Sequence, residues 1–257
     1  MTYKSQTVSA IVITENNATT LEKALSSLHW VDDLVVFDRG STDGTLTIAR
    51  GFTEKVYFHP SKNLTMVRRD ALSTGSCDWL LLVEPDEWVE EMLRHEIDGV
   101  LLNTPANLNG YTLPRQLKFQ NQWFSTPVGE EPNRLLRLVR KNHWEVGEDW
   151  AATLKVGGDV GKLDRPMGYA PYRTVEELFN EINGQSTLSA YRHLEAHGVS
   201  SKDQGTFSLM IKTKLAAWRE FIFKGGIFKG ITGQTLAMAN TVEVFLKYAK
   251  IRALTKK

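Results

Sequence analysis

Cysteine occurs once in the chain, at Cys77, so no intramolecular disulfide and no cysteine-based metal cluster is available, a usage that fits a reducing compartment. No apolar run approaches the roughly 20 residues needed to span a bilayer. The opening MTYKSQTVSAIVI has neither the basic stretch nor the apolar core of a secretory leader, so a cytoplasmic protein is expected. Neither G-x-x-x-x-G-K-[ST] nor G-x-G-x-x-G is present, which argues against P-loop and dinucleotide-binding enzymes. His193 and His197 are four apart, but no glutamate directly follows the first, so a zinc-protease helix is excluded. Internal repeats and low-complexity segments are absent too.

What is present is an ordinary globular composition: 257 residues, 42% of them hydrophobic, enough for one large α/β domain or a domain with an appendage. The net charge of +1 conceals an asymmetry. From residue 202 onward 11 Lys/Arg stand against 3 Asp/Glu, while the first 201 residues carry 20 against 27. The negative body does not suit nucleic acid, and the basic tail is physically distinct from it.

SAIVIT (9–14), DLVVFD, KVYFH and WLLLV are apolar, β-branched or aromatic runs of strand length. Between them, TTLEKALSSLHW, LTIARGF and NLTMVRRDALSTG carry helical spacing, the last ending at Gly75. Strands alternating with helices predict βαβ units and a parallel sheet, whose ligands bind beyond the carboxyl ends of the strands. Polar clusters sit at three such ends: Thr14 to Asn17, Asp38 to Asp43, and Glu84 to Glu87. Further on, GYTLPR and RLLRLVR read as strands and about Thr174 to Ala196 as a helix.

Each cluster has a plain alternative. FDRGSTDGT holds glycines for a tight loop and Ser41 or Asp43 to cap a helix whose N-terminal amides favour anions, but a simple strand-to-helix turn uses the same residues. EPDE offers carboxylates suited to Mg²⁺ or Mn²⁺ bridging to phosphates, yet Pro85 and Glu87 equally suit an acidic first helical turn. Arg68 and Arg69 either pair with a pyrophosphate or form a solvated helix face. Glu148 and Asp149, between tryptophans, are either a general base with a raised pKa or a surface turn.

Taken in order over roughly residues 7 to 100, SAIVITENN, VVFDRGSTDGT, VRRDAL and DWLLLVEPDE resemble the nucleotide-sugar-binding half of family 2 glycosyltransferases. RLLRLVR, PYRTVEELFN, FIFKGGIFKGITG and VFLKYAK are similar to the branch holding lipopolysaccharide-core glucosyltransferases. The resemblance implies an α/β GT-A fold, a Rossmann-like, mostly parallel sheet flanked by helices, with a helical, basic C-terminal extension. It implies a catalytic domain over 1–200, divided near 100 into donor and acceptor halves, and a tail over 201–257. Carried across by position, Asp38 would contact the nucleobase, with Thr14 and Glu15 lining the same pocket, and Arg69 would approach the pyrophosphate. Asp86 would hold a divalent metal, Mg²⁺ or Mn²⁺, with Glu84 in the place of the first aspartate of the family's D-x-D. Glu148 or Asp149 would deprotonate the acceptor hydroxyl for inverting attack on the anomeric carbon. The implied partners are a nucleotide sugar, UDP-linked, and a saccharide or lipid-linked acceptor. The chain departs from the pattern at Glu84, at Arg39 beside Asp38, at V-G-E (146–148) in place of V-H-E, and at Tyr169 in place of a histidine. These losses motivate a rival reading, a lapsed transferase that binds or scaffolds.

In AAWREFIFKGGIFKG, Trp218, Phe221, Ile222, Ile227 and Phe228 alternate with Lys224 and Lys229. Such a segment reads as a peripheral element at an anionic membrane surface, on the inner face of the cytoplasmic membrane, or as aromatics packed on the catalytic domain.

Overall fold

The computed structural model describes residues 6–124, 134–148, 152–198 and 206–255. Two compact units divide the chain, one of Met1–Leu117 with Asn133–Ala170, the other of Lys118–Pro132 with Pro171–Lys257.

The first unit starts as the alternating pattern requires. Strands β1 (Val8–Thr14), β2 (Asp33–Asp38), β3 (Val56–Phe58) and β4 (Trp79–Val83) are parallel and lie in the order β3-β2-β1-β4. Helices α1 (Leu21–Ser26), α2 (Thr45–Phe52) and α3 (Leu64–Ser73) connect them. β1 is buried along its whole length because both of its faces are covered. Ala10 and Val12 join a cluster with Leu21 and Leu25 of α1 and Leu93 and Ile97 of α4 (Glu91–Leu102). Ile11 and Ile13 face the other way, onto Val67, Ala71 and Leu72 of α3. α3 begins where Asn63 accepts a hydrogen bond from the Met66 amide.

After β4 come β5 (Glu87–Trp88), β6 (Leu108–Phe119), β7 (Gln122–Phe124), β8 (Arg134–Arg140), β9 (Trp144–Val146), β10 (Leu154–Val156), β11 (Asp159–Lys162) and β12 (Met167–Tyr169). The sheet continues from β4 through β8, β6 and β12 to β5, with β8 antiparallel to β4 and β6. β9 and β10 form a separate antiparallel ladder. Residues 87 and 88, which also suited a helix start, are strand instead, paired antiparallel with β12. That pairing requires Gly168, because a Cβ there would fall inside the Trp88 indole.

In the second unit, Gln120 and Asn121 turn with φ of 47° and 62°, the left-handed pair of a tight hairpin, into β7. α5 (Val175–His197) starts at Thr174, whose side chain accepts from the Glu177 amide. α6 (Thr206–Trp218) runs into a π-helical turn, Arg219–Phe223, then a short 3₁₀ turn, Gly226–Phe228, and α7 (Gly230–Thr255). α7 packs on both α5 and α6. Lys250 Nζ ties α7 to α5 through the Asn183 carbonyl and side chain, Ser186 and Thr187, at 2.6–2.9 Å. α5, which the sequence pattern grouped with the segment before it, thus packs with the C-terminal helices. Glycines make the corner tight: a Cβ on Gly233 would lie 2.8 Å from the Gly226 carbonyl.

Gly168→Ala should force Trp88 and β5 aside and destabilise the protein by about 1–3 kcal/mol. Urea unfolding beside the wild type measures this, with an unchanged midpoint the contrary result.

Candidate functional site

The order β2-β1-β4 brings the carboxyl ends of three strands side by side, with Thr14 in register with Asp38. This is the edge at which open α/β sheets bind ligands. The loops after β1 and β2 are stitched together by side chains. Asp38, fully buried, accepts hydrogen bonds from the Gly40 and Ser41 amides and from the Ser41 hydroxyl. Asn16, at φ 56°, donates its amide to Ser41 Oγ and accepts from the Thr42 amide, both at 2.8 Å. Thr14 donates its hydroxyl to Asn17 Oδ1, and the Asn17 amide donates to Thr45 Oγ1. Asp38 and Thr14 therefore hold the two loops from beneath, and Glu15 pairs with Arg39 at 3.3 Å beside them.

The end of β4 carries a second construction. Glu87 is fully buried and meets Arg137 Nη2 at 2.8 Å and Arg115 Nη1 at 3.5 Å. Its other oxygen accepts the Glu84 amide. Glu84 turns to Arg68 Nη2 (2.7 Å) and Arg137 Nη1 (3.1 Å). Burial opposes ionisation of Glu84, but Arg137 and Arg68 outweigh it and hold the carboxyl below its usual range. Asp86 lies between these two carboxylates. Burial first, then the charges of Glu87 and Glu84, push its carboxyl up to about 8. A carboxylate so disfavoured when ionised is where an added cation gains most. Among the described residues no three His, Cys, Asp or Glu side chains gather to hold a metal by themselves. A single carboxylate completed by phosphate oxygens and water is the arrangement Mg²⁺-type ions commonly take, so the residues present fit one.

α3 joins this cluster to described residues between β9 and β10, namely Gly147, Glu148 and Ala152. Thr65 donates to the Gly147 carbonyl, Arg68 to the Ala152 carbonyl, and Arg69 pairs with Glu148 at 2.8 Å. Two expected site residues, Arg69 and Glu148, thus meet at the surface. Asp149 lies outside the described residues. The sequence reading did not anticipate Arg68, Arg115 and Arg137 as the partners of Glu84 and Glu87. For Arg115 and Arg137 the signal available was arginine in the interior of strand candidates that also carry leucines, where a buried guanidinium demands acidic partners.

Removing Glu87 as Glu87→Ala takes from the buried Arg115 and Arg137 the carboxylate they share and should lower unfolding free energy by about 3–5 kcal/mol. In contrast, Arg69→Ala, which breaks a surface pair, should leave the denaturation midpoint nearly unchanged. Asp86 yields a pH test. It keeps its proton to about pH 8 in the fold, whereas an unfolded aspartate loses it near 4. The folded state therefore carries a cost absent below about pH 4 that grows to its full size above about pH 8. Asp86→Asn should raise the melting temperature in chelator near pH 8.5 and change it little near pH 4.5; a pH-independent difference contradicts the assignment.

No protein-family model matches the chain. It is 26% identical over 254 residues to the lipopolysaccharide core biosynthesis glycosyltransferase LpsC of Rhizobium meliloti, covering 95% of this chain and 91% of LpsC. It is 32% identical over 261 residues to an uncharacterized glycosyltransferase of Rickettsia bellii, covering 96% and 87%. A third relative, from Rickettsia felis and also an uncharacterized glycosyltransferase, is 33% identical over 95% of this chain and 89% of its own. Among solved structures, the mannosyltransferase PcManGT of Pyrobaculum calidifontis, in complex with GDP-Man and Mn²⁺, covers 98% of this chain and 88% of its own at 14% identity and a TM-score of 0.54, a likeness of fold. By its relatives and its architecture the chain belongs to the family 2 glycosyltransferases of the GT-A fold, resembling the lipopolysaccharide-core enzyme.

Proposed function

We propose that this glycosyltransferase moves a hexose from a UDP-sugar, with inversion, to a saccharide or lipid-linked acceptor in the assembly of lipopolysaccharide core or a related surface glycan. The observation that carries the reading is the convergence of the Thr14–Asp38 loops and the Asp86 cluster on one sheet edge. The nucleoside sits against the stitched loops after β1 and β2, with Glu15 and Arg39 at its rim. Asp86 is the residue to hold a Mg²⁺ or Mn²⁺ ion, which when bound supplies positive charge for the departing diphosphate. Glu84, turned onto Arg68 and Arg137, fixes the loop that presents Asp86.

Arg69 and Glu148 have linked roles. As an exposed pair they separate at little cost. A diphosphate offers Arg69 more negative charge than one carboxylate does, so donor binding draws Arg69 away and frees Glu148. Glu148, or Asp149 beside it, then takes the proton from the acceptor hydroxyl. The hydroxyl oxygen forms its bond to the anomeric carbon as the bond to the diphosphate breaks on the opposite face, which inverts the centre.

Calorimetric titration of UDP and GDP, with and without Mn²⁺, tests the reading. UDP should bind with metal, Asp86→Ala should abolish the metal-dependent binding, and Arg69→Ala should weaken it about tenfold. Of Glu148→Gln and Asp149→Asn, the one that removes the base should lower kcat about 10²- to 10⁴-fold. A preference for GDP overturns the uridine assignment, and no nucleotide binding overturns the site. Metal-independent binding without turnover marks a chain that has kept the pocket and lost transfer.

A further inference from the structure

A helix packed in a globular protein turns its apolar stripe inward. α6 does the reverse. Phe207, Ile211, Leu215 and Trp218 recur at the spacing of one helical face and are 78%, 41%, 65% and 64% exposed. The exposed surface continues around the corner: Phe223, 77% exposed, lies with its ring 6.1 Å from that of Trp218, and Phe228 is 84% exposed. Isolated apolar residues on a surface are normal, but a contiguous run of this kind marks an interaction site.

The charges around it decide what covers it. Residues 206–255 hold eight Lys/Arg and two acidic side chains, Glu220 and Glu243. Both acids are buried. Glu220 Oε1 pairs with Arg219 and Lys224 at 3.0 Å each, and its Oε2 accepts from Asn240 at 2.9 Å. Among the described residues of this segment the solvent therefore meets aromatics, aliphatics and cations, with Lys214 and Lys229 exposed, and no exposed carboxylate. A second copy is a poor partner, since a two-fold interface sets a patch against itself and would place lysine against lysine. Protein interfaces moreover are depleted of lysine at their core. An anionic bilayer matches both halves of the pattern, with rings entering the boundary between headgroup and acyl chain while the ammonium groups remain with lipid phosphates. No helix among the described residues is long and apolar enough to cross a membrane, so the fit is to the surface.

We propose that the outer face of α6 and the corner Arg219–Phe228 form a wedge that seats in the surface of an anionic membrane, with Trp218, Phe223 and Phe228 as the inserted side chains and Lys214 and Lys229 on the headgroups. The argument is independent of the donor and catalytic assignments.

The test is co-sedimentation of the full chain with phosphatidylethanolamine/phosphatidylglycerol vesicles and with phosphatidylcholine vesicles. Wild type should pellet with the first, less so at high salt, and remain in solution with the second. Phe223→Ser with Phe228→Ser should lower partitioning about tenfold or more, and Lys214→Gln and Lys229→Gln about fivefold each. Circular dichroism and Mn²⁺-dependent nucleotide binding of these variants should match wild type. Equal pelleting on both vesicle types, or undiminished pelleting of the double serine variant with its fold intact, overturns the proposal. So does failure of wild type to pellet together with concentration-dependent dimerisation that the serine variant abolishes, which would assign the face to a second copy.

Discussion

The ion cluster at the end of β4 constrains the rest of the candidate site's edge of the sheet. Glu87 sits in the protein interior, where a carboxylate is tolerated only with compensating charge, and Arg137 and Arg115 provide it. Both arginines come from strands that lie beyond β4 in the sheet, so the charge balance and the strand pairing depend on each other. Through Arg137 the cluster reaches Glu84, through Arg68 it reaches α3, and through the Ala152 carbonyl it reaches the chain between β9 and β10. Five charged groups thereby hold one short loop in a single conformation. Asp86 is carried on that loop where burial and the charges of Glu87 and Glu84 outweigh Arg115, which is why its charge is disfavoured and why a cation is the natural complement.

Much of this architecture is legible from residues. The apolar runs at residues 10–13 of β1 and Trp79–Val83 of β4 announce strands covered on both faces, and the polar residues that end those runs announce the edge at which such sheets bind ligands. Thr174 followed by Glu177 marks the start of α5. What sequence does not disclose is pairing at a distance. Glu87 and Arg137 are fifty positions apart, and nothing local in EPDE distinguishes the two glutamates that each receive two arginines from Asp86, which receives none among the described ion pairs. Asp38 teaches the same lesson from the other side. Its position at the end of β2 is readable, whereas the commitment of its carboxylate to the turn amides depends on a backbone that only the folded loop defines.

The two units also differ in how they treat charge. In the first, buried carboxylates are matched by arginines around a chemical site. In the second, burial of Glu220 and Glu243 removes acid from the surface and leaves cations and rings outside. The same physical rule, that a buried charge needs partners, fixes the loop of the candidate site in one case and in the other sets the sign of an outer face.

The stitched loops after β1 and β2 have a kinetic and entropic meaning. Because the side chains of Asn17, Ser41, Asp38 and Asn16 already accept from the backbone amides of Glu15, Asn16, Ser41 and Thr42, a ligand docking there, as in the proposed nucleoside site, would have little loop freedom left to remove. On the donor assignment proposed above, selection among bases would work by fit to a standing shape, and differences between relatives would be concentrated at the Glu15–Arg39 pair while the stitched loops beneath stay constant.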